Sequence, residues 1–488
     1  MSVAASVEVL ENYVGGKWAR SQATGFVDVH NPARGEVIAK TPLSTRADLD
    51  AAVTAAAKAF PAWRDTPVVA RARAMFRFAH LLEQHFEEIA HTVTTEHGKT
   101  IEESRGSVRR AIECVEVACG APSLMMGFSL EQIASSVDCT VFRQPLGVVA
   151  AITPFNFPAM VPLWFLPFAV TTGNTIIVKP SEQVPLSTRL LFRLLEQCDI
   201  PPGVVNLVNG GREIVEGLCE HPGIRAVSFV GSTPVARTVY QRATHAGKRV
   251  QALGGAKNFV VVMPDANFEK SIENITESFY GCAGERCLAG SVLVPVGEAH
   301  KEARDRLVES ARSLKVGDGL EPGVKMGPVI SGTHRDRVRN YIDAGVGEGA
   351  RLVLDGRGVK IAGRDEGFFV GPTVFDGVSP DMTIGREEIF GPVASIRAVR
   401  NLDEAIALIS AHPNANATSI FTSSGKAARE FARHATASMV GVNIGVAAPM
   451  AYFPFGGAKD SFFGDLKVHG RDAFEFYTDK KVTITRWL

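Results

Sequence analysis

Four short apolar runs separated by helical stretches restrict the fold of this chain more than any other feature. They are Gly147-Val148-Val149-Ala150-Ala151-Ile152, Asn174-Thr175-Ile176-Ile177-Val178-Lys179, Val204-Val205-Asn206-Leu207-Val208 and Ala226-Val227-Ser228-Phe229-Val230. A strand that is apolar on both faces must be covered on both, and crossover helices do this in a parallel sheet. The alternation therefore predicts a dinucleotide-binding type of architecture, with ligands held beyond the carboxyl ends of the strands. Three of those ends carry suggestive residues: Thr153-Pro154-Phe155-Asn156, Lys179-Pro180-Ser181-Glu182 and Gly231-Ser232. The usual Gly-x-Gly-x-x-Gly fingerprint is missing.

At 488 residues the chain is too long for one simple core, and two or three domains are expected. A second α/β unit is read over residues 255–436. It contains Asn258-Phe259-Val260-Val261-Val262, a helix over about 299–314 and Glu387-Glu388-Ile389-Phe390-Gly391-Pro392. Before the first sheet, Gly15-Gly16 suggests a hairpin. Helical periodicity then predicts a helix from Asp48 to about Phe60, another over residues 71–91 and a third over about 100–121. The end of the chain alternates, Lys481-Val482-Thr483-Ile484-Thr485, as an exposed strand suited to pairing with another subunit.

Lys+Arg and Asp+Glu both number 52, so no charge excess calls for nucleic acid or an anionic membrane. Seven cysteines without Cys-x-x-Cys or Cys/His spacing argue against a disulfide framework and against a metal site. A reducing, cytoplasmic setting is expected. Met1 to Ser6 lacks the pattern of a signal peptide, and prolines 158, 162 and 167 interrupt the most apolar segment, so no membrane span is expected.

The third helix has an informative face. Val108, Ile112, Val115 and Cys119 form an apolar stripe, and Arg109, Glu113 and Glu116 a solvated one. Arg110 heads a third stripe with Cys114, Val117 and Ala121, where a guanidinium either snorkels outward or enters a cleft and needs an anionic partner.

Near the middle of the chain lies Gly281-Cys282-Ala283-Gly284-Glu285-Arg286-Cys287-Leu288-Ala289-Gly290. Small neighbours let backbone N–H groups approach whatever sits on the Cys287 sulfur, and Arg286 can favour thiolate or hold an anion. By itself the stretch equally suits a small buried thiol.

Taken together, Thr153-Pro154-Phe155-Asn156-Phe157-Pro158, Lys179-Pro180-Ser181-Glu182, Phe229-Val230-Gly231-Ser232, the Cys287 stretch, Glu387 to Pro392 and Phe455-Gly456-Gly457 resemble the aldehyde dehydrogenase superfamily, in its order and over nearly the whole chain. The resemblance implies a Rossmann-like cofactor domain (residues 1–122 and 142–254), an α/β catalytic domain (255–436, extending to about 470) and a small β oligomerisation element (123–141 and 471–488). It implies Cys287 as nucleophile and Asn156 as oxyanion donor. NAD would be held by Thr153, Phe155, Lys179, Glu182, Gly231, Ser232, Glu388 and Phe390, with a dimer or tetramer as the assembly.

One departure narrows this. Most members carry Glu-Leu-Gly-Gly-Lys, whose glutamate activates the hydrolytic water; here Gln251-Ala252-Leu253-Gly254-Gly255-Ala256-Lys257 places Leu253 there. Leucine cannot accept a proton, whereas a thiol acceptor needs less help. Coenzyme A is therefore the expected acyl acceptor. The pattern resembles the CoA-acylating, methylmalonate-semialdehyde branch, together with Ser123-Leu124-Met125-Met126-Gly127 and Val261-Val262-Met263-Pro264. That branch implies Arg110 and Arg286 as ligands of a substrate carboxylate. It also implies decarboxylation to acetyl-CoA or propionyl-CoA, in valine, inositol or β-alanine catabolism. Glu285 replaces the branch's usual glutamine, and a carboxylate beside Arg286 is expected to neutralise it partly. The competing readings are a hydrolytic semialdehyde dehydrogenase releasing a free acid and a scaffold retained without activity.

Overall fold

The computed structural model describes residues 7–488. Its largest sheet has eight strands, and the four apolar runs lie at its centre. Thr175–Lys179 sits between Val205–Leu207 and Val148–Ile152, followed by Ile224–Val230 and Arg249–Leu253, all paired in parallel. Along Val148–Ile152, Val149 and Ala151 enter one core and Val148, Ala150 and Ile152 the other, so helices cover both faces as the sequence requires. Ile152 is level with Lys179 and Val230 with Leu253, which brings the carboxyl ends to one rim. The expected hairpin, Asn12–Val14 with Lys17–Ala19, forms one edge and turns through Gly15 and Gly16 at φ +60° and +82°. The opposite edge is Phe462–Phe463, an antiparallel strand from late in the chain that sequence reading did not place there.

A second, seven-stranded sheet has Asn258–Val262 between Gly290–Pro295 and Ala417–Phe421, again parallel, and ends at Met439–Val442. A third sheet pairs Thr478–Arg486 with the whole of Val137–Pro145, which also pairs with Phe128–Ala134. Thr478–Arg486 and Phe128–Ala134 are its outer strands, and Phe128, Leu130, Ile484 and Trp487 are exposed.

Two helices differ from expectation. The first runs Arg46–Asp65, beyond Phe60 and through Pro61, because Trp63 is buried in its last turn and donates Nε1–H to the Val170 carbonyl at 3.0 Å. The stretch 71–91 is two helices, Val68–Gln84 and Phe86–His97, broken at His85. Met75, Phe78 and Leu82 before the break and Ile89 and Val93 after it keep helical spacing, so periodicity could not reveal the break. The next helix, Ile101–Cys119, starts with a reciprocal cap: Thr100 Oγ1 accepts from the Glu103 N–H, and the Glu103 carboxylate accepts from the Thr100 N–H. Among the described residues no helix is long and apolar enough to cross a membrane.

Candidate active site

The helix Phe268–Tyr280 ends in a tight turn in which Cys282 and Ala283 both adopt left-handed backbone, φ 50° and 52°. A side chain at Gly281 would strike the Arg286 guanidinium, and one at Gly284 the Gly391 carbonyl, so the small residues here are required by space. The turn delivers Cys287, whose carbonyl accepts hydrogen bonds from Asn258 Nδ2 at 2.9 Å and Asn416 Nδ2 at 2.7 Å. Cys287 borders a cavity of about 570 Å³, together with Arg110, Arg286, Phe157, Trp164 and Phe455. Burial pushes its thiol up to about 12; Glu388 adds to the shift and Arg286 opposes it only weakly. Arg286 thus favours the thiolate, as expected, but burial outweighs it in the resting site.

Arg286 is engaged elsewhere. Its Nε–H donates to Cys282 Sγ at 3.3 Å and its Nη2–H to Glu103 at 3.1 Å, while Glu277 lies 3.7 Å from Nη1. Glu285 does not neutralise it, contrary to expectation. The Glu285 side chain is fully buried on the other side of the turn, accepting from the Ile330 N–H at 3.1 Å and lying 3.4 Å from His334 and 3.8 Å from His97. Burial holds this carboxyl well above its usual range.

Arg110 reaches the cavity, the second of the two outcomes its helix face allowed. Nη2 donates to the carbonyls of Ala448 and Pro449, both at 3.1 Å, and Nη1 to Glu113 at 3.1 Å. Its anionic partner within the chain is thus Glu113, which is half-buried on the cavity wall and not on the solvated stripe. Arg109 turns outward to Glu83.

Asn156 is buried and held from two sides. Its Nδ2 donates to the Glu285 carbonyl at 3.1 Å, leaving the second amide hydrogen, and its own carbonyl accepts from Lys99 Nζ at 2.6 Å. The buried Lys99 ammonium also stands 3.7 Å from the centre of the Phe157 ring.

The strand ends form a second concave region. Thr153 N–H donates to the Lys179 carbonyl at 3.0 Å, and the Thr153 hydroxyl is buried without a partner among the described residues. Lys179 Nζ donates to Glu182 at 2.9 Å. Gly231 donates its N–H to the Leu253 carbonyl at 3.1 Å, and Ser232 precedes the helix Thr233–His245. Leu253 ends the last parallel strand, almost fully buried, in the core cluster against which Cys287 packs. Glu388 Oε1 accepts from the Ala256 N–H at 2.8 Å, and Gly255 is bare because any side chain there would meet Glu388. Phe390 has φ 58°; its carbonyl accepts from His334 Nε2 at 2.7 Å, and its ring meets Phe155 edge-on at 5.8 Å.

Sequence reasoning missed Lys99, Glu103, Asn258, Asn416 and Lys257 as parts of this site. Glu103 was within reach as the last member of the Thr-x-x-Glu cap signature. Lys257 props the Glu387–Glu388 segment by donating to the carbonyls of Ile384 and Glu387, both at 2.7 Å.

The chain matches the model of the aldehyde dehydrogenase family over residues 18–483. It is 51% identical over 479 residues to malonate-semialdehyde dehydrogenase 1 of Geobacillus kaustophilus, covering 98% of each chain. It is similar to the crystal structure of a methylmalonate-semialdehyde dehydrogenase from Oceanimonas doudoroffii, with TM-score 0.97, 44% identity and 99% of each chain covered. A Sinorhizobium meliloti protein provisionally assigned the same activity and crystallised with NAD matches with TM-score 0.98 and 42% identity, again over 99% of each chain.

Proposed function

We propose that this chain, which belongs to the aldehyde dehydrogenase family, oxidises malonate semialdehyde or its 2-methyl homologue with NAD and transfers the acyl group to coenzyme A. The observation that carries the reading is one cavity bordered both by Cys287 and by two guanidinium groups, Arg110 and Arg286. An aldehyde carbon placed at the sulfur puts a short chain's terminal carboxylate among arginine donors. The names of the relatives at about 50% identity agree with that substrate class.

In this reading the Cys287 thiolate attacks the aldehyde carbon, a C–S bond forms and the carbonyl oxygen becomes an alkoxide. The free Asn156 amide hydrogen and the Cys287 backbone N–H stabilise that charge. Bound NAD supplies a hydride acceptor. Thr153, Phe155, Lys179, Glu182, Gly231, Ser232, Glu388 and Phe390 would hold it, a fit supported by the Thr153 hydroxyl, unpartnered among the described residues, and by the glycine at 255 that makes room for the Glu388 carboxylate. Loss of hydride leaves a thioester on Cys287. Its β-carboxylate departs as carbon dioxide, the electron pair passing into the thioester carbonyl before the carbon takes a proton. A CoA thiolate then attacks the carbonyl carbon and frees Cys287. Leu253 offers water no base, which favours the thiol acceptor.

The same reading divides the chain into a cofactor domain (1–122 and 142–254), a catalytic domain (255 to about 470) and a bridging element (123–141 and 471–488). The exposed strand Thr478–Arg486 gives the bridging element an edge for a second copy, in a dimer or tetramer. Seven free cysteines suit a cytoplasmic setting.

The test is a product assay with malonate semialdehyde and NAD, with and without CoA. Steady NADH formation and acetyl-CoA are expected only with CoA, after a single-turnover burst without it. Equal steady rates in its absence would overturn the acceptor assignment.

A further inference from the structure

His469 lies on the wall of the cavity that holds Cys287 and Arg110, and no step above uses it. Its backbone has φ 74° and ψ 172°, a region otherwise almost confined to glycine. Hydrogen bonds on both sides hold it there: Val468 and Phe455 exchange N–H donors at 2.7 and 3.0 Å, and Gly470 donates to the Ala451 carbonyl at 2.9 Å. Such over-determined strain persists where the position of a side chain matters.

The ring is 4% exposed and set between aromatic walls, Trp164 edge-on at 4.9 Å and Phe455 at 5.6 Å. Its polar atoms are poorly served. Nδ1 has no hydrogen-bond partner among the described residues, and Nε2 has the Cys114 sulfur at 3.7 Å, a weak partner. Buried polar atoms ordinarily find good partners, so an imidazole whose one hydrogen-bond partner among the described residues is a thiol has hydrogen-bonding capacity to spare. Cys114 also borders the cavity and lies one helical turn beyond Arg110 on the same face.

Resting on the semialdehyde-acid reading above, we infer that His469 is a specificity-determining residue that donates a hydrogen bond to the substrate's carboxylate beside Arg110. Burial, and secondarily the Arg110 charge, hold the empty ring well below its usual range, so it is neutral and carries one N–H. Arg110 keeps donors for the same anion: Nε–H and one hydrogen of Nη1 have no partner among the described residues. A guanidinium and an imidazole on the wall of one cavity would hold the two oxygens of one carboxylate and leave the aldehyde end free to reach Cys287.

The test compares His469→Phe, His469→Asn and Arg110→Leu in the full-length enzyme, with malonate semialdehyde and with uncharged propanal. His469→Phe should raise KM for the semialdehyde about tenfold while kcat and all propanal constants stay within about twofold. His469→Asn, which keeps an N–H donor, should hold the semialdehyde KM within about threefold. If Arg110→Leu raises the semialdehyde KM and His469→Phe does not, the inference falls and the substrate reading stands. If neither raises it, the substrate reading itself falls. Equal loss of both substrates in His469→Phe would make the ring packing alone and would also overturn the inference.

Discussion

Glu103 Oε1 accepts the Arg286 Nη2–H at 3.1 Å and the Cys282 backbone N–H at 2.6 Å, so one carboxylate ties the guanidinium to the strained turn behind Cys287. Its other oxygen caps the helix that carries Arg110, at 2.9 Å from the Thr100 nitrogen. The elements bearing the two arginines are therefore joined through a single side chain.

Glu103→Ala removes all three bonds and leaves a buried N–H and a largely buried guanidinium with fewer partners. Orphaning such donors costs about 1–3 kcal/mol each when water cannot replace the partner. We expect a loss of at least about 2 kcal/mol in urea unfolding, and a smaller loss for Glu103→Gln, which retains an acceptor. A Glu103→Ala unfolding midpoint equal to the native one would show that water takes over the carboxylate's role.

The arginines differ in their surroundings, and their substitutions should differ too. A charge-assisted contact to a carboxylate is worth ~1.5–3 kcal/mol, about one to two decades in kcat/KM. Arg110→Leu and Arg286→Leu should lose that much toward malonate semialdehyde and much less toward propanal. Arg109→Leu breaks an ion pair with Glu83 whose side chains are 49% and 42% exposed, so it should cost no more than ~1 kcal/mol of stability and leave kinetics unchanged. Steady-state kinetics on the three variants decide this.

Much of this arrangement was legible in the sequence because local rules govern it. Apolar runs such as Val148 to Ile152 specify strands buried on both faces, and helical spacing selects Arg110 over Arg109 for the cavity. What was hidden depends on long-range contact. Nothing local to Glu103 says that it meets Cys282, 179 positions away. Glu285 precedes Arg286 directly yet faces the other way, toward Ile330, His97 and His334, which only the tertiary fold brings near. The break at His85 and the late strand Phe462–Phe463 were missed for a related reason: tertiary packing places them, and their own composition is unremarkable.

Glu388 should make cofactor binding depend on pH. Burial raises its carboxyl to about 7, with the Ala256 N–H and Lys257 opposing the shift. It is protonated below that value and ionised above it, and the ionised form is the better acceptor for ribose hydroxyls. Kd for NAD should therefore fall as pH rises through about 7, while Glu388→Gln should flatten that dependence. For stability the sign is opposite. A raised acid contributes fully below its ordinary value, near 4.5, and loses that contribution as pH rises through about 7. Isothermal titration with NAD across this range, with urea unfolding at the same pH values, reads both effects.

The choice between NAD and NADP should rest on Glu182. Lys179 and Glu182 follow the second strand of the sheet centre at its carboxyl rim and pair at 2.9 Å, with Lys179 almost buried and Glu182 about one-third exposed. An ionised carboxylate there accepts from both hydroxyls of a ribose diol. The same carboxylate opposes the extra phosphate of NADP as a like charge, a cost that grows with desolvation. Lys179 offsets part of that cost but is already paired with Glu182, so the balance remains against the phosphate. We expect NAD to be favoured at least about tenfold in kcat/KM, equivalent to ~1.4 kcal/mol. Glu182→Gln should narrow the gap chiefly by improving NADP, because it removes the repulsion and frees the Lys179 ammonium for the phosphate. Initial rates at subsaturating cofactor supply the measurement. Equal use of the two cofactors by the native enzyme would mean that Glu182 does not face the ribose.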